Sequence, residues 1–197
     1  MTLWTFDTTH THGRTGIRMY RAPGYFDNVF VSRGPTTDQV YADRVATGGS
    51  WQEDATKTSL TQAVAAGTAR RTTGTPAEDH VVQATVTVNR FSIGGSPWAG
   101  LMVRYVDDAN YYYVTARRSD ELSLRKLTNG AIEELGTVPL AVTPGLPLVL
   151  RLEAVRDRRV STTTPPTLPE SGASSASRMR SSGVGCMRRN PSSRADD

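Results

Sequence analysis

The feature that most constrains this chain is the strict alternation of apolar and polar residues in several short segments. In "HVVQATVTVNRF" the apolar residues Val82, Ala84, Val86 and Val88 are separated by single polar residues. Successive side chains of a β-strand point to opposite faces, so this pattern predicts a strand with one buried face. "LVLRLEAV", residues 148–155, repeats the pattern. Half-buried strands are therefore the expected building blocks.

Turn signals join these segments into hairpins. "AGLMVRYV" and "NYYYVTAR" are connected through residues 107–110, and "ELSLRKL" and "AIEELGTV" flank Asn129 and Gly130. Asn-Gly tolerates positive φ at both positions and is a strong hairpin signal. No stretch of residues 1–155 keeps a helical period over three turns. Short strands about every 8–12 residues predict an all-β fold, an antiparallel jelly-roll sandwich.

Three consecutive tyrosines follow the first of these turns. Alternation places Tyr112 on one face of the strand with Val114 and Ala116, which indicates a core face. Tyr111 and Tyr113 fall on the opposite face, together with residues 115 and 117. That second face combines aromatic and cationic side chains, so it is a candidate surface for a ligand.

The basic character of the chain is confined to its end. Residues 156–197 hold eight Arg against four acidic residues, whereas residues 1–155 hold fifteen Lys and Arg and fifteen Asp and Glu. The neutral body gives no reason to expect a nucleic-acid partner. Residues 161–197 are rich in Ser, Arg and Pro and lack periodicity, which predicts a disordered C-terminal tail. No apolar run has the length of a membrane span, so no membrane association is expected.

The body resembles a laminin-G-like, concanavalin A-like jelly-roll module of secreted actinobacterial polysaccharide-acting proteins, including pectate-lyase-like ones. The resemblance covers residues 41–155. It is carried by "GLMVRY", "DANYYY", "LSLRKLTNG" and the closing "LVLRLEAV". It implies a secreted parent protein, although "MTLWTFDTTH" has neither the charged start nor the apolar stretch of a signal peptide.

A second resemblance concerns the start of the chain. "GRTGIRMYRAPGYFDNVFVSR", residues 13–33, is similar to the last hairpin of such a module. We therefore predict that residues 1–34 are the terminal hairpin of a preceding module and residues 35–160 a laminin-G-like jelly roll. Residues 161–197 are then an out-of-frame tail, and the chain is a truncated, frameshifted fragment. Docking of residues 14–32 onto the second module would complete a circularly permuted jelly roll.

The function that this resemblance implies is that of a non-catalytic, carbohydrate-associated module whose parent catalytic domain is absent from the chain. Concanavalin A-like glucanases carry an E-x-D-x-x-E or E-x-D-x-E strand, and no such spacing occurs here. An enzyme is therefore not expected. Two alternatives stay open at this stage: an inactive fragment of a pectate-lyase-like or glycosidase-like enzyme, and a structural or adhesive spacer without glycan affinity.

Two candidate sites follow from the residues. A glycan surface is predicted at Trp98, Tyr111, Tyr113 and Arg117, with the alternative that these aromatic residues only stabilise the sheet as cross-strand pairs. A calcium site is predicted at Asp107, Asp108 and Asn110, which place oxygen ligands in one turn. The alternative there is a plain hairpin turn, which favours the same residue types. No other cofactor is expected.

Overall fold

A computed structural model describes residues 2–33, 36–38, 45–56, 58–64, 66–155 and 159–164. All regular elements in these ranges are β-strands, and every strand pair is antiparallel. The predicted all-β antiparallel sandwich is therefore confirmed. Within the same ranges there is no helix long and apolar enough to cross a membrane.

The strands form two sheets. The eight-stranded sheet has the order β1 (Thr2–Phe6), β15 (Arg159–Thr163), β14 (Pro147–Val155), β9 (His80–Val88), β3 (Gly24–Arg33), β7 (Ser59–Gln62) and β6 (Trp51–Glu53), with β4 (Thr36–Asp38) paired to β3. The seven-stranded sheet has the order β13 (Ala131–Pro139), β12 (Glu121–Thr128), β11 (Asn110–Arg117), β10 (Trp98–Asp107), β2 (Gly13–Tyr20), β8 (Thr68–Ala77) and β5 (Val45–Gly48).

The main core lies between the two sheets. The alternating residues of β9 contribute Val82, Ala84 and Val86, and β10 and β11 contribute Leu101 and Tyr112 from the other side. All five are at most 2% exposed. The predicted inward face of the tyrosine strand is confirmed, because Tyr112, Val114 and Ala116 belong to this core.

The second and third strands of the chain lie in the interior of the sheets, one in each sheet. β2 sits between β10 and β8, and β3 sits between β9 and β7. In the described part of the chain these two strands do not pair with each other, so they do not form the hairpin that the sequence predicted. The reason is that the connection at residues 21–23 carries the chain from one sheet to the other.

The end of the described chain differs from the predicted boundary at residue 161. β15 continues to Thr163, pairing with β14 on one side and β1 on the other. Thr162 and Thr164 are buried. Most of the predicted tail, residues 165–197, lies outside the described residues.

Local backbone geometry explains two features of the seven-stranded sheet. Asn129 and Gly130, with φ of 50° and 81°, connect β12 to β13 as the sequence predicted. Arg104, with φ of 49°, lies where the pairing of β10 with both neighbours shifts register. Such a β-bulge inserts one extra residue and reverses the alternation beyond it. Tyr105 therefore lies on the outer face of the sheet, whereas strict alternation would place it beside Val103 in the core.

A polar cluster connects the segment after β1 to the opposite sheet. Asp7 accepts hydrogen bonds from the backbone amide of Thr9 at 2.8 Å, from the hydroxyl of Tyr112, and from Lys126 Nζ at 2.7 Å. Burial alone would raise the pKa of Asp7, but these hydrogen bonds outweigh it and hold the pKa well below its usual range. Burial and the bond to Asp7 raise the pKa of Tyr112 to about 12.

Asp7 should make the free energy of unfolding depend on pH in the acidic range. Its pKa is lower in the folded chain than the ~3.9 of an unfolded aspartate, so its contribution is complete above about pH 4 and is lost as the pH falls further. We expect Asp7→Asn to lower the free energy of unfolding by about 1–2 kcal/mol at pH 7. The difference from the wild type should shrink steadily below pH 4 in urea titrations.

A matched variant provides the background for this measurement. Glu153→Gln removes a carboxylate that pairs with Arg151 on its own strand, away from the Asp7 cluster. A difference between Asp7→Asn and the wild type that stays constant from pH 7 to pH 2.5 would contradict the role assigned to Asp7.

Candidate functional site

The outer face of the seven-stranded sheet carries a second cluster of buried side chains. It consists of Trp98, Met102, Tyr105, Tyr111, Tyr113 and Leu127, with Tyr20 packed against it. The register aligns Trp98 with Tyr20 on β2 and with Arg117 on β11, and it aligns Met102 with Tyr113. The rings of Trp98 and Tyr113 lie 5.6 Å apart, and those of Tyr111 and Tyr113 lie 5.4 Å apart. Aromatic pairs at such distances stabilise a sheet.

A cleft runs over this cluster. Its first part is a groove of about 380 Å³ lined by Arg18, Tyr20, Thr68, Ser96, Trp98, Tyr113, Arg117, Arg125 and Ile132. A second depression of about 260 Å³ shares Ser96 and Arg117 with the groove and adds Gly95, Pro97, Arg118 and Ser119. The two adjoining depressions, called the cleft below, form an extended site rather than a single closed pocket. The volume of the larger depression is within the range of ligand-binding sites.

The floor of the cleft depends on Gly100. This residue lies between Trp98 and Met102 on β10 and opposite Arg18 on β2. A Cβ atom at this position would overlap the carbonyl oxygen of Val114. The absence of a side chain allows β10 and β11 to approach closely beneath the cleft.

Arg18 covers the aromatic cluster. Its guanidinium carbon lies 4.9 Å from the centre of the Trp98 ring, 5.3 Å from that of Tyr111 and 5.5 Å from that of Tyr113. It also donates a hydrogen bond to the hydroxyl of Tyr111. Burial, and then the neighbouring charge of Arg70, lower the pKa of Arg18 to about 10. Among the described residues, no carboxylate forms an ion pair with Arg18.

Three other arginines of this face are held by acidic partners. Arg70 Nη2 lies 2.5 Å from Asp108 Oδ2, Arg117 Nε lies 2.9 Å from Glu121 Oε1, and Arg125 Nη2 lies 2.6 Å from Glu134 Oε2. Burial and then the charge of Arg125 lower the pKa of Arg117. The carboxylates fix the positions of these guanidinium groups. Of the four arginines Arg18, Arg70, Arg117 and Arg125, Arg18 is the one that forms no ion pair among the described residues.

The four residues predicted for a glycan surface share this face. Trp98, Tyr113 and Arg117 line the cleft, whereas Tyr111 is fully buried beneath Arg18. Trp98 is only 7% exposed and Tyr113 only 2%, so their ring faces are packed rather than open. The cleft therefore presents the edges of the aromatic rings together with guanidinium groups. Whether a glycan binds there stays a prediction.

Several residues of the cleft were not predicted from the sequence, and three of them come from strands that the prediction did not connect with Trp98. Arg18 and Tyr20 come from β2, and Arg125 comes from β12. The alternation in "GIRMY" and "LSLRKL" could have indicated which side chains of each strand share a face. The missing information was that β2 lies directly beside β10, which residue spacing does not provide.

The turn predicted to bind calcium has its oxygen atoms engaged with protein partners. Asp107 Oδ1 accepts from the amide of Ala109 at 2.8 Å and from Asn110 Nδ2 at 2.9 Å. Asp108 points to the sheet face, where it bonds Tyr105 and Arg70. Asn110 Oδ1 accepts from the amide of Asn129 at 3.0 Å. The backbone and side-chain hydrogen bonds to Asp107 lower its pKa. Calcium binding by these residues stays a prediction.

Comparison with family models, curated proteins and solved structures finds no match for this chain. Within the described ranges, no group of three or more His, Cys, Asp or Glu residues is placed to hold a metal ion. The functional assignment therefore rests on the geometry of the cleft.

Proposed function

We propose that this chain is a non-catalytic, carbohydrate-binding β-sandwich module of an exported polysaccharide-acting protein. The observation that supports the proposal is the cleft, which brings aromatic edges, hydroxyl groups and guanidinium groups together on one sheet face. Sugars offer hydroxyl groups for hydrogen bonds and apolar ring faces for aromatic contacts. The hydroxyl and guanidinium groups of the lining serve the first, and the half-buried ring of Tyr20 serves the second.

The shape of the cleft also favours a polymer. The two depressions meet at Ser96 and Arg117 and continue across β2, β10 and β11 toward the turn at residues 118–120. An elongated, shallow site of this kind accommodates several units of a chain, whereas a small molecule is usually enclosed. Non-catalytic binding agrees with the carboxylates of the face, since Glu121 and Glu134 are each paired with an arginine.

Tyr20 provides the test of this function. It lies at the edge of the cleft, with its ring 6.4 Å from that of Trp98, and it is only half-buried. We expect Tyr20→Ala to weaken binding to a soluble polysaccharide about five- to tenfold, the effect of losing about 1–1.4 kcal/mol of aromatic contact. Titration calorimetry against a panel of neutral and acidic polysaccharides measures it.

The control is Tyr25→Ala, which removes a half-buried tyrosine from β3 of the eight-stranded sheet. Its affinity should equal that of the wild type. Absence of binding to every polysaccharide of the panel would overturn the proposed function and favour a structural spacer. Equal losses in both variants would place the binding surface outside the cleft.

A further inference from the structure

The cleft contains more arginine side chains than the fold neutralises with carboxylates. Arg18 is half-buried and has no carboxylate partner among the described residues. A partly desolvated cation without an ion-pair partner is stabilised by an anion. At the other end of the cleft, Arg118 is exposed, and its Nη1 atom donates to the carbonyl of Ser92 at 3.3 Å.

The aromatic rings do not offer the open faces on which a neutral sugar stacks. Arg18 lies over Trp98, Tyr111 and Tyr113, so a ligand entering the cleft meets the guanidinium before it meets the rings. The aromatic rings hold the guanidinium plane in place through cation–π contacts. A guanidinium held in this way is preorganised to bind an anion.

On these grounds, and resting on the function proposed above, we infer that the ligand of the cleft is an acidic polysaccharide built of uronic acid units, with one carboxylate bound by Arg18. The flanking Arg117 and Arg118 receive a second carboxylate of the same chain. Register places Arg18 and Arg117 two strands apart, about 10 Å across the sheet. That separation favours a polymer with repeated carboxylates over a single small acid.

The net charge of residues 1–155 is zero, which agrees with a binding site that acts only at short range. Residues 1–155 contain equal numbers of acidic and basic residues, so no long-range field attracts polyanions in general. Three of the arginines on the face keep their own carboxylate partners. Recognition should therefore depend on the carboxylate geometry and not on total charge, which distinguishes this ligand from sulfated polymers and nucleic acids.

The experiment compares polygalacturonate with the same polymer after methyl esterification, which keeps the sugars and removes the charge. The full chain is titrated with both, with dextran sulfate and with a single-stranded DNA of similar length. We expect polygalacturonate to bind at least tenfold more tightly than its methyl ester and more tightly than the other two polyanions. Arg18→Gln should weaken the binding of polygalacturonate at least tenfold and weaken that of the ester by a clearly smaller factor.

Two further variants keep the test decisive if Arg18→Gln unfolds. Arg118→Gln changes an exposed residue of the cleft and should weaken polygalacturonate binding about threefold, whereas Arg90→Gln changes an exposed arginine outside it and should have no effect. Equal affinity for polymer and ester overturns the carboxylate inference but leaves the proposed function standing. Tighter binding of dextran sulfate or DNA also overturns it. Absence of binding to any polysaccharide overturns both proposals.

Discussion

Deletion of residues 1–34 should leave the rest of the chain unable to fold. The deletion removes β2 from the middle of one sheet and β3 from the middle of the other, so each sheet is divided and gains two unpaired edges. It also removes six buried side chains of the main core, namely Ile17, Met19, Ala22, Phe26, Val29 and Val31. A single large-to-small change in a core costs about 2–5 kcal/mol, and a domain has only about 5–15 kcal/mol in total. Circular dichroism should show loss of cooperative thermal unfolding.

A circular permutant is the matched control for this deletion. Thr2 pairs with Thr163 in the register of β1 and β15, so the two ends of the described chain lie side by side. A chain that runs from residue 36 to 164 and then, through a short linker, from residue 2 to 33 contains the same strands. We expect it to unfold cooperatively, close to the midpoint of the original chain.

These two variants distinguish a need for the first three strands themselves from a need for their covalent connection to β4. A deletion variant that folds well would mean that the sandwich does not need its first three strands, and it would contradict the hypothesis that residues 14–32 complete the fold. If deletion variant and permutant both fail to fold, the requirement lies in the direct connection from β3 to β4. If only the deletion fails, the strands are needed wherever they stand in the chain.

Much of the fold could be predicted from the sequence because alternation depends on local geometry. The period of two in residues 82–88 and 148–154 predicted the buried faces of β9 and β14, and Asn129-Gly130 predicted the turn between β12 and β13. The same rule separated Tyr112 from Tyr111 and Tyr113 and so predicted which tyrosine enters the main core. Each of these features involves residues that are close together in the chain.

The cleft could be predicted only in part, because its shape depends on contacts between distant segments. Arg18 is about eighty residues away from Trp98 in the sequence, and only the pairing of β2 with β10 places it over the aromatic cluster. The sequence predicted either a glycan surface at Trp98, Tyr111, Tyr113 and Arg117 or cross-strand aromatic pairs. It did not predict that a guanidinium would lie over the rings. The bulge at Arg104, which directs Tyr105 to the same face, also escapes a rule based on strict alternation.

Arg104→Met should lower the free energy of unfolding by about 3–4 kcal/mol, a large loss for a single substitution. Arg104 is 3% exposed, and its guanidinium donates to three carbonyl groups at 3.1 Å each: Nε to Glu78, Nη1 to His10 and Nη2 to Val155. Methionine fills similar space but leaves all three acceptors without their donor. Burial lowers the pKa of Arg104, although nearby acidic groups oppose this effect.

The size of the effect follows from where these carbonyl groups lie. Glu78 belongs to the turn between β8 and β9, His10 to the segment between β1 and β2, and Val155 to the end of β14. One side chain thus holds three segments from both sheets at one end of the sandwich. Its loss should lower the melting temperature by roughly 10 °C, and amide hydrogen exchange should accelerate in all three segments together.

The control is Arg90→Met, which changes an exposed arginine and should alter stability by less than about 0.5 kcal/mol. Arg104→Lys retains the charge but replaces the planar fork with a point donor, so it should fall between methionine and the wild type. A loss of less than about 1 kcal/mol in Arg104→Met would contradict the role assigned to the guanidinium. Faster exchange in only one of the three segments would show that Arg104 anchors that segment alone, and the bulge that positions Tyr105 beneath the cleft would then owe its stability to other contacts.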